Sequence, residues 1–334
     1  NQAKGKAAVY CVIIGFSNYD IKNKYLFEYE DINGESTKMK VKNINPYLVD
    51  AENLFITSRS KPICDVPEMS FGNMPLDGGN LIIEDSIKEE FIAVEPKVKN
   101  YVLPLISARE FLNKKKRWCL WLANVKPEEL RKMPSVLKRV EAVKQFRLAS
   151  KRKSTNQSAA TPTLFGENRQ PKSKFIVVPR VSSENRKYIP MGFFDFNHIV
   201  SDTMMFIPNG TLYNFGVMMS AIHMSWVKYT CGRLESRFRY SKDIVYNNYP
   251  WPKEVNEKNK KNVEEKAQQI LDVREGFPES SLADLYHPLT MPPKLIKAHN
   301  ELDKAVDKCY RSQAFKNDTS RIEYLFSLYK EYTV

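Results

Sequence analysis

The sequence has 334 residues, of which 42% are hydrophobic and 12% aromatic, so it can form more than one globular domain with a sizeable core. No apolar run approaches the roughly 18 residues that a membrane span requires, and no basic segment with a small-residue cleavage site indicates a signal peptide. The five cysteines are scattered without any Cys-x-x-Cys spacing, which argues against a zinc site or a disulfide framework and favours a reducing cytoplasm.

The net charge of +13 is concentrated in the middle of the chain. Residues 109–190 hold 21 Lys and Arg against 6 Asp and Glu, whereas the counts are 12 against 15 in residues 1–108 and 19 against 18 in residues 191–334. A concentrated basic face of this kind is typical of nucleic-acid-binding proteins. The alternative is a solubilising surface, although such surfaces usually mix both signs of charge.

The beginning of the chain is predicted to contain a β-hairpin. Residues 7–16 form a continuous apolar run typical of a strand that is buried on both faces, and residues 24–30 alternate as a second strand. Asn33 and Gly34 mark a turn. We expect this hairpin to be the edge of a sheet whose other strands lie outside the chain. Residues 45–80 are rich in proline and turn signals and are predicted to be mostly loop.

Short strands and helices are predicted to alternate from residue 81 to residue 229. Strands are expected at residues 101–105, 118–122, 175–179, 188–194, 199–202 and 204–207. Helices are expected at residues 86–95, 107–113 and 136–148, after a helix start at residue 127, and one amphipathic helix is expected at residues 215–229. Residues 150–160 are polar, basic and aperiodic, which predicts a mobile loop that could clamp a nucleic-acid backbone.

The last part of the chain is predicted to be a small helical domain. Helices are expected at residues 263–274, 294–310 and 319–332, after a charged linker at residues 256–261. Their charge is balanced, which suits protein contacts better than DNA. The fold class is therefore predicted to be α+β, with mixed sheets and flanking helices followed by a helical C-terminal part.

The stretch from Cys231 to Ser241 alternates charged and apolar residues. In an extended strand this alternation would place Glu235, Arg237 and Arg239 on one face. Arginine offers a donor fork for guanine O6 and N7, and glutamate accepts from cytosine N4, so a Glu-x-Arg pair could read both bases of one C·G pair. The alternative is a strand edge with solvated charges.

Motifs of catalytic or cofactor sites are missing from the sequence. There is no glycine-rich phosphate loop, dinucleotide fingerprint or nucleophile elbow, and the four histidines lack metal-ligand spacing. The run at residues 45–47, Asn-Pro-Tyr, lacks the second proline of the Asn-Pro-Pro-Tyr motif of amino methyltransferases and is predicted to be a turn. Asp77, Glu95 and Lys97 imitate the acidic site of Mg²⁺-dependent nucleases, which is one alternative function. Another is a protein-interaction module that docks through the C-terminal helices.

Eight runs in order along the chain carry a family resemblance. They include Cys-Gly-Arg-Leu-Glu-Ser-Arg at 231–237 and Tyr-Asn-Asn-Tyr-Pro-Trp-Pro at 246–252, and the others lie at residues 9–17, 44–48, 72–79, 117–122, 179–184 and 289–293. The chain resembles the C-terminal part of MmeI-like type IIG restriction–modification enzymes, which combine a nuclease, an N6-adenine methyltransferase and a target recognition domain. The resemblance implies that residues 1–60 end the methyltransferase domain with its last hairpin, residues 61–252 form the target recognition domain and residues 253–334 form a helical C-terminal domain.

The resemblance also implies which residues read the bases of double-stranded DNA. The expected base-reading residues are Glu235, Arg237, Arg239, Ser201, Asp202 and Thr203. The residues expected to contact the DNA backbone are Lys114, Lys115, Lys116, Arg169, Arg180, Ser182, Arg186, Lys187 and Arg233. No catalytic residue and no metal site are expected in the chain, which we predict to be a non-catalytic cytoplasmic fragment. S-adenosylmethionine and Mg²⁺ are expected for the parent enzyme, whose methyltransferase and nuclease domains are the expected protein partners.

Overall fold

The first described element of the chain is a β-hairpin. The computed structural model describes residues 12–29 and 34–333, and in it β1 (Lys24–Tyr29) pairs antiparallel with β2 (Ser36–Val41). The strand predicted at residues 7–16 lies partly outside the described residues, as does Asn33 of the predicted turn. The described part of this predicted strand, residues 12–16, is exposed and forms no strand, so that part of the prediction is wrong. A strand that is apolar on both faces is stable only when other elements pack on both of them, and no strand of the described residues pairs with residues 12–16.

Eleven further strands and eleven helices follow in the described part of the chain. The strands are β3 (Ser70–Phe71), β4 (Ile82–Glu84), β5 (Val102–Ile106), β6 (Arg117–Leu120), β7 (Phe175–Pro179), β8 (Val181–Ser182), β9 (Gly192–Phe194), β10 (Ile199–Val200), β11 (Met204–Pro208), β12 (Gly232–Leu234) and β13 (Arg237–Arg239). The helices are α1 (Asp85–Val94), α2 (Ala108–Asn113), α3 (Pro127–Leu130), α4 (Pro134–Leu148), α5 (Lys153–Gln157), α6 (Leu212–Met218), α7 (Ala221–Thr230), α8 (Glu257–Glu275), α9 (Leu282–Leu285), α10 (Pro293–Tyr310) and α11 (Asp318–Thr333). The predicted α+β class, with several sheets flanked by helices, is confirmed.

Two four-stranded sheets form the centre of the fold. The first has the order β10–β5–β6–β4, in which β10 is parallel to β5 and the other neighbours are antiparallel. Ile83, Leu105 and Val136 are buried in its core, so α4 covers this sheet. The second has the order β3–β11–β7–β9 and is antiparallel throughout. All five residues of β7 are buried, as its continuous apolar sequence requires.

The single helix predicted at residues 215–229 is two helices, α6 and α7. The break lies at Ser220, whose hydroxyl donates to the carbonyl of Val217 and accepts from the amide of His223. A serine with extended backbone geometry that caps the following turn starts a new helix. The capping serine therefore outweighs the continuous apolar pattern, and the prediction of one helix is wrong.

The basic segment at residues 150–160 is ordered by a buried arginine. It forms α5 and a 3₁₀ turn at Ser158–Ala160, which corrects the prediction of a mobile loop. The guanidinium of Arg147 in α4 is fully buried and donates hydrogen bonds to five main-chain carbonyls. These carbonyls belong to Pro75, Leu76, Ser158, Thr161 and Leu164. One side chain thus fastens the segment to the loop before β4.

The C-terminal helices share a hydrophobic core with the second sheet and with α6 and α7. A Cβ at Gly216 of α6 would lie 2.7 Å from the Val263 side chain of α8, so these two helices cross in close contact. Asp303 of α10 accepts a hydrogen bond from the amide of Ala221 at the start of α7 and another from the Tyr188 hydroxyl. The helices predicted to dock on absent domains therefore bury their apolar faces within the described chain.

The run at residues 246–252 lies in the interior of the fold. It follows a π-helical turn at Lys242–Tyr246, and residues 246–251 are all buried. The side-chain amides of Asn247 and Asn248 donate to the main-chain carbonyls of Arg59 and Thr57, respectively. The Tyr310 hydroxyl of α10 donates to the Tyr249 hydroxyl. This run connects the loop before β3 to the C-terminal helices. In the described residues, no helix has the length and apolar character needed to cross a membrane.

Candidate nucleic-acid interface

A short hairpin of β12 and β13 carries the charged motif of residues 231–241. Leu234 lies opposite Arg237 and Gly232 lies opposite Arg239, while β13 also pairs with β8. Residues directly opposite each other in an antiparallel pair project to the same side, so these four form one surface, which we call the hairpin face. Phe238 projects to the other side and is buried. Both arginines of the hairpin face are exposed to solvent.

Glu235 lies in the hairpin turn and not in a strand, which corrects the prediction that it alternates with the arginines along one strand. Its φ of 56° falls in the left-handed region, which two-residue hairpin turns require and which residues other than glycine rarely adopt. The carboxylate nevertheless reaches Arg237, whose Nη2 donates to Oε2 at 2.8 Å. The side chains are 77% and 45% exposed, so an acceptor and a donor fork stand side by side in solvent.

Arg233 supports the hairpin from its other side. Its guanidinium donates to the carbonyls of Ser236 and Lys228, and its Cζ lies 4.1 Å from the centroid of the Phe238 ring. These contacts use two of the five N–H donors of the guanidinium and hold the hairpin in place. Arg233 is exposed, and its contact with the DNA backbone stays a prediction.

Arg180 joins the two segments that were predicted to read bases. Its amide donates to the carbonyl of Thr203 at 3.1 Å, and its carbonyl accepts from the amide of Tyr240 at 2.8 Å. Its Nη1 donates to the carbonyl of Asp202 at 2.9 Å, and its Cζ lies 4.9 Å from the centroid of the Phe71 ring. The turn at residues 201–203 is therefore held beside the end of β13, although the two segments are thirty residues apart in sequence.

The turn at residues 201–203 presents two of its three predicted base-reading residues. Ser201 is only 6% exposed, and its hydroxyl lies 2.7 Å from the Thr203 hydroxyl, so it shapes the turn from inside. Thr203 is exposed and Asp202 is half-buried. The Thr203 hydroxyl also accepts from the amide of Ala108 at 3.0 Å, which ties the turn to the start of α2.

The predicted DNA-backbone residues fall into two groups. Lys114, Lys115, Lys116 and Lys187 are exposed, and Lys114 ends α2 with a φ of 52°. The others make contacts within the protein, as Lys187 also does by donating to the side-chain oxygen of Asn300. Arg169 pairs with Glu167, and Arg186 donates to the hydroxyl of Ser182, which is 3% exposed. Burial lowers the pKa of the Arg186 guanidinium below its ordinary value. The buried position of Ser182 leaves its hydroxyl inside the fold rather than on the surface.

A buried pair of rings lies under the hairpin. Tyr240 follows the hairpin face directly, and its hydroxyl lies 3.0 Å from Nε2 of His223 in α7. Burial lowers the pKa of His223 to about 4, because the charged imidazolium would lose its hydration. His223 is therefore neutral at physiological pH. It positions Tyr240, which anchors the end of β13.

Both carboxylates of the alternative nuclease site, Asp77 and Glu95, have structural roles. The Asp77 carboxylate accepts from the amides of Gly79 and Leu81 and so closes the turn before β4. The Glu95 carboxylate accepts from the Ser135 hydroxyl and the amide of Val136, which caps α4. The described residues contain no group of three His, Cys, Asp or Glu side chains placed to hold a metal ion. The geometry gives no support to a nuclease site.

Two members of the hairpin face were not predicted. Leu234 is 41% exposed at the hairpin tip, and Gly232 faces Arg239 across the strand pair. The sequence signal was present, because two alternating strands joined by a two-residue turn place these positions beside the arginines. The prediction of one extended strand over residues 231–241 leaves both positions out, because it lacks the turn.

The chain is similar to known proteins along its whole length. A family model described as MmeI, target recognition domain, matches residues 50–253, and one described as MmeI, C-terminal domain, matches residues 255–334. The chain is 42% identical over 334 residues to DNA methyltransferase A of Bacillus subtilis (strain 168), of which it spans 37%. A solved structure of the type IIL restriction–modification enzyme MmeI in complex with DNA is 45% identical with a TM-score of 0.91, and the match covers 100% of this chain and 44% of that one. The chain thus spans less than half the length of these relatives.

Proposed function

The chain belongs to the MmeI family, and we propose that it is the part of a restriction–modification DNA methyltransferase that recognises a specific sequence in double-stranded DNA. The hairpin face carries this proposal. It presents Arg237 and Arg239 to solvent from one strand, with the Glu235 carboxylate already paired to Arg237. A two-stranded ribbon of this size fits the major groove, where each base pair presents a distinct pattern of donors and acceptors.

Base reading at the hairpin uses two kinds of contact. Arg237 donates to O6 and N7 of a guanine, and Glu235 accepts from N4 of the cytosine paired with it. Their ion pair is exposed, so rearranging it on DNA costs at most about 1 kcal/mol. Arg239 lies two residues along the strand and reads a neighbouring base pair. Asp202 and Thr203 extend the reading surface, because Arg180 holds their turn beside β13.

Phosphate contacts come from exposed lysines around this surface. Lys114, Lys115 and Lys116 at the end of α2 belong to the basic middle of the chain, and Lys187 follows β8. Lysines that neutralise phosphates fix the position of a protein on DNA and carry no sequence information. Three of the predicted backbone-contacting arginines already donate hydrogen bonds within the protein, namely Arg169, Arg180 and Arg186. Their main role is therefore to hold the loops that present the base-reading residues.

The reaction itself belongs to other parts of the parent protein. We expect S-adenosylmethionine and Mg²⁺ to bind outside this chain, since the chain lacks the corresponding motifs and its described residues hold no metal-binding cluster. The expected partners are double-stranded DNA and the methyltransferase and nuclease domains of the same polypeptide. Residues 1–60 would end the methyltransferase domain, and the cytoplasm, where the DNA lies, is the proposed location.

Selection from a randomised duplex library tests the proposal. The full-length protein containing this chain should enrich one sequence, and Arg237→Ala with Arg239→Ala should abolish the preference at two positions within it. Lys253→Ala with Lys330→Ala is the matched control, since it removes two exposed charges from the helical part. An enriched sequence that is the same for the wild type and the double-arginine variant would refute base reading by the hairpin.

A further inference from the structure

Gly232 lacks a side chain although nothing in the described protein prevents one. It lies in β12, where a Cβ would meet only the main-chain oxygen of Arg239, at an ordinary distance of 3.9 Å. Its φ is outside the left-handed region. Glycine inside a strand weakens the strand through its backbone entropy and its lack of packing. Glycine therefore lowers the stability of the fold at this position, and neither a close neighbour nor a left-handed backbone requires it there.

Gly232 differs from the other glycines of the described chain. The structure describes the surroundings of ten glycines, and eight of them have a positive φ or a neighbouring atom within 3.4 Å of the Cβ position. The two exceptions are Gly15 and Gly232. Gly15 lies in an exposed segment without regular structure, where a glycine requires no explanation. Gly232, by contrast, lies within a paired strand.

The location of Gly232 indicates which ligand would occupy the open space beside its Cα atom. It lies on the hairpin face directly opposite Arg239, and Leu234 lies two residues along the same face. A leucine that is 41% exposed at this surface suits the edge of a base pair, such as a thymine methyl group, better than a charged phosphate. Glycines are also used where a ligand approaches the backbone of a strand closely.

We infer that Gly232 is a specificity-determining residue whose missing side chain leaves room for the base pair that Arg239 reads. The inference rests on the proposed function in DNA recognition. A side chain at residue 232 stands between the β12 backbone and the base-pair edge, and it holds the Arg239 guanidinium away from the base. Gly232 thus acts through the distance between strand and DNA, and Arg239 makes the contact.

Four variants of the full-length protein test this inference by library selection and affinity measurement. Gly232→Ala and Gly232→Val are compared with Arg239→Ala, and Ser312→Val is the control that changes an exposed side chain between α10 and α11. Gly232→Val should bind the sequence preferred by the wild type at least tenfold more weakly, with preference relaxed at the same base pair as in Arg239→Ala. Its unfolding temperature should be unchanged or raised, because valine favours strands. Ser312→Val should behave as the wild type.

The outcomes separate the inference from the proposed function. A Gly232→Val protein that keeps its affinity within twofold and its full sequence preference overturns the inference. If Gly232→Val lowers the unfolding temperature, Gly232→Ala decides, since a single methyl group meets no atom closer than 3.9 Å. A wild-type protein that enriches no sequence overturns the proposed function and this inference together. A wild-type protein that enriches a sequence, with glycine variants that bind it equally well, overturns the inference alone.

Discussion

Exchanging the charges of Glu235 and Arg237 should change the base pair that the hairpin prefers. In the double variant Glu235→Lys with Arg237→Asp, a donor replaces the acceptor at the turn and an acceptor replaces the donor fork in β13. The two side chains keep opposite charges, so the ion pair seen at 2.8 Å can form again in reverse. Since guanine offers acceptors and cytosine a donor in the major groove, the exchange should favour the inverted base pair, G·C in place of C·G.

The expected size of the effect follows from the exposure of the pair. Both side chains are well exposed, so the exchange should alter the free energy of unfolding by less than about 1 kcal/mol. A bidentate base contact contributes about 1–3 kcal/mol of discrimination, which corresponds to roughly 5-fold to 150-fold in preference at one position. Aspartate is shorter than arginine, which favours the lower end of that range.

The assay is sequencing of the DNA that the full-length protein methylates or binds, with the unfolding temperature as a check on folding. The two single variants should each lose discrimination without gaining a new preference, because each leaves two like charges beside each other. The matched control is the exchange of Lys253 and Glu331, another exposed ion pair at 2.9 Å, in the helical part of the chain. It should leave the recognised sequence unchanged.

The recognised sequence of the double variant decides between base reading and surface charge. A folded double variant that recognises the original sequence with its original preference would show that Glu235 and Arg237 do not read a base pair. A uniform loss of affinity for all sequences would assign the two residues to phosphate contacts instead.

Three further predictions concern other parts of the chain. Replacing the lysines at residues 114–116 by alanine should reduce the slope of log affinity against log salt by about 0.9 for each lost phosphate contact, with the preferred sequence unchanged, and an unchanged slope would exclude these contacts. Burial holds the pKa of His223 at about 4, below its unfolded value near 6.5, so its contribution to stability is complete above pH 6.5 and is lost as pH falls towards 4. Denaturant unfolding should therefore show the wild type losing up to about 3 kcal/mol more than His223→Gln over that window, and parallel curves would contradict the reasoning. Arg147→Met should lower the free energy of unfolding by at least about 3 kcal/mol because five buried carbonyls lose their donor, whereas Lys144→Met on the exposed side of α4 should change it by less than about 0.5 kcal/mol.

The sequence predicts an element well where the pattern of apolar residues along that element alone determines its class. The apolar run of β7 and the amphipathic pattern of α10 depend on burial along one element, so their class and approximate ends were predictable. The exposed arginines of β13 were predictable for the same reason, since alternation in a strand fixes which side chains point outward.

Helix boundaries, turn conformations and loop order were not predictable, because they depend on competing local hydrogen bonds or on contacts between residues far apart in sequence. Ser220 ends one helix and starts another through two hydrogen bonds, although the apolar pattern continues across it. The positive φ of Glu235 depends on the pairing of β12 with β13, which periodicity alone does not reveal. The ordering of residues 150–160 by Arg147 depends on carbonyls more than seventy residues away, such as that of Pro75. The position of Arg180 between the turn at residues 201–203 and the end of β13 likewise depends on the three-dimensional pairing of β8 with β13.

The core shared by the second sheet and the C-terminal helices restricts how new specificities could arise by recombination. A chimera joined near residue 253 would place Gly216 of one parent against Val263 of another, where a Cβ would come within 2.7 Å. It would also have to preserve the hydroxyl pair of Tyr249 and Tyr310 across the junction. Inheritance of residues 231–241 alone leaves both contacts intact. Transfer of the hairpin between relatives therefore leaves the C-terminal helices undisturbed, provided that the buried Phe238 and Tyr240 are kept, while exchange of the whole recognition part requires co-inheritance of α8, α10 and α11.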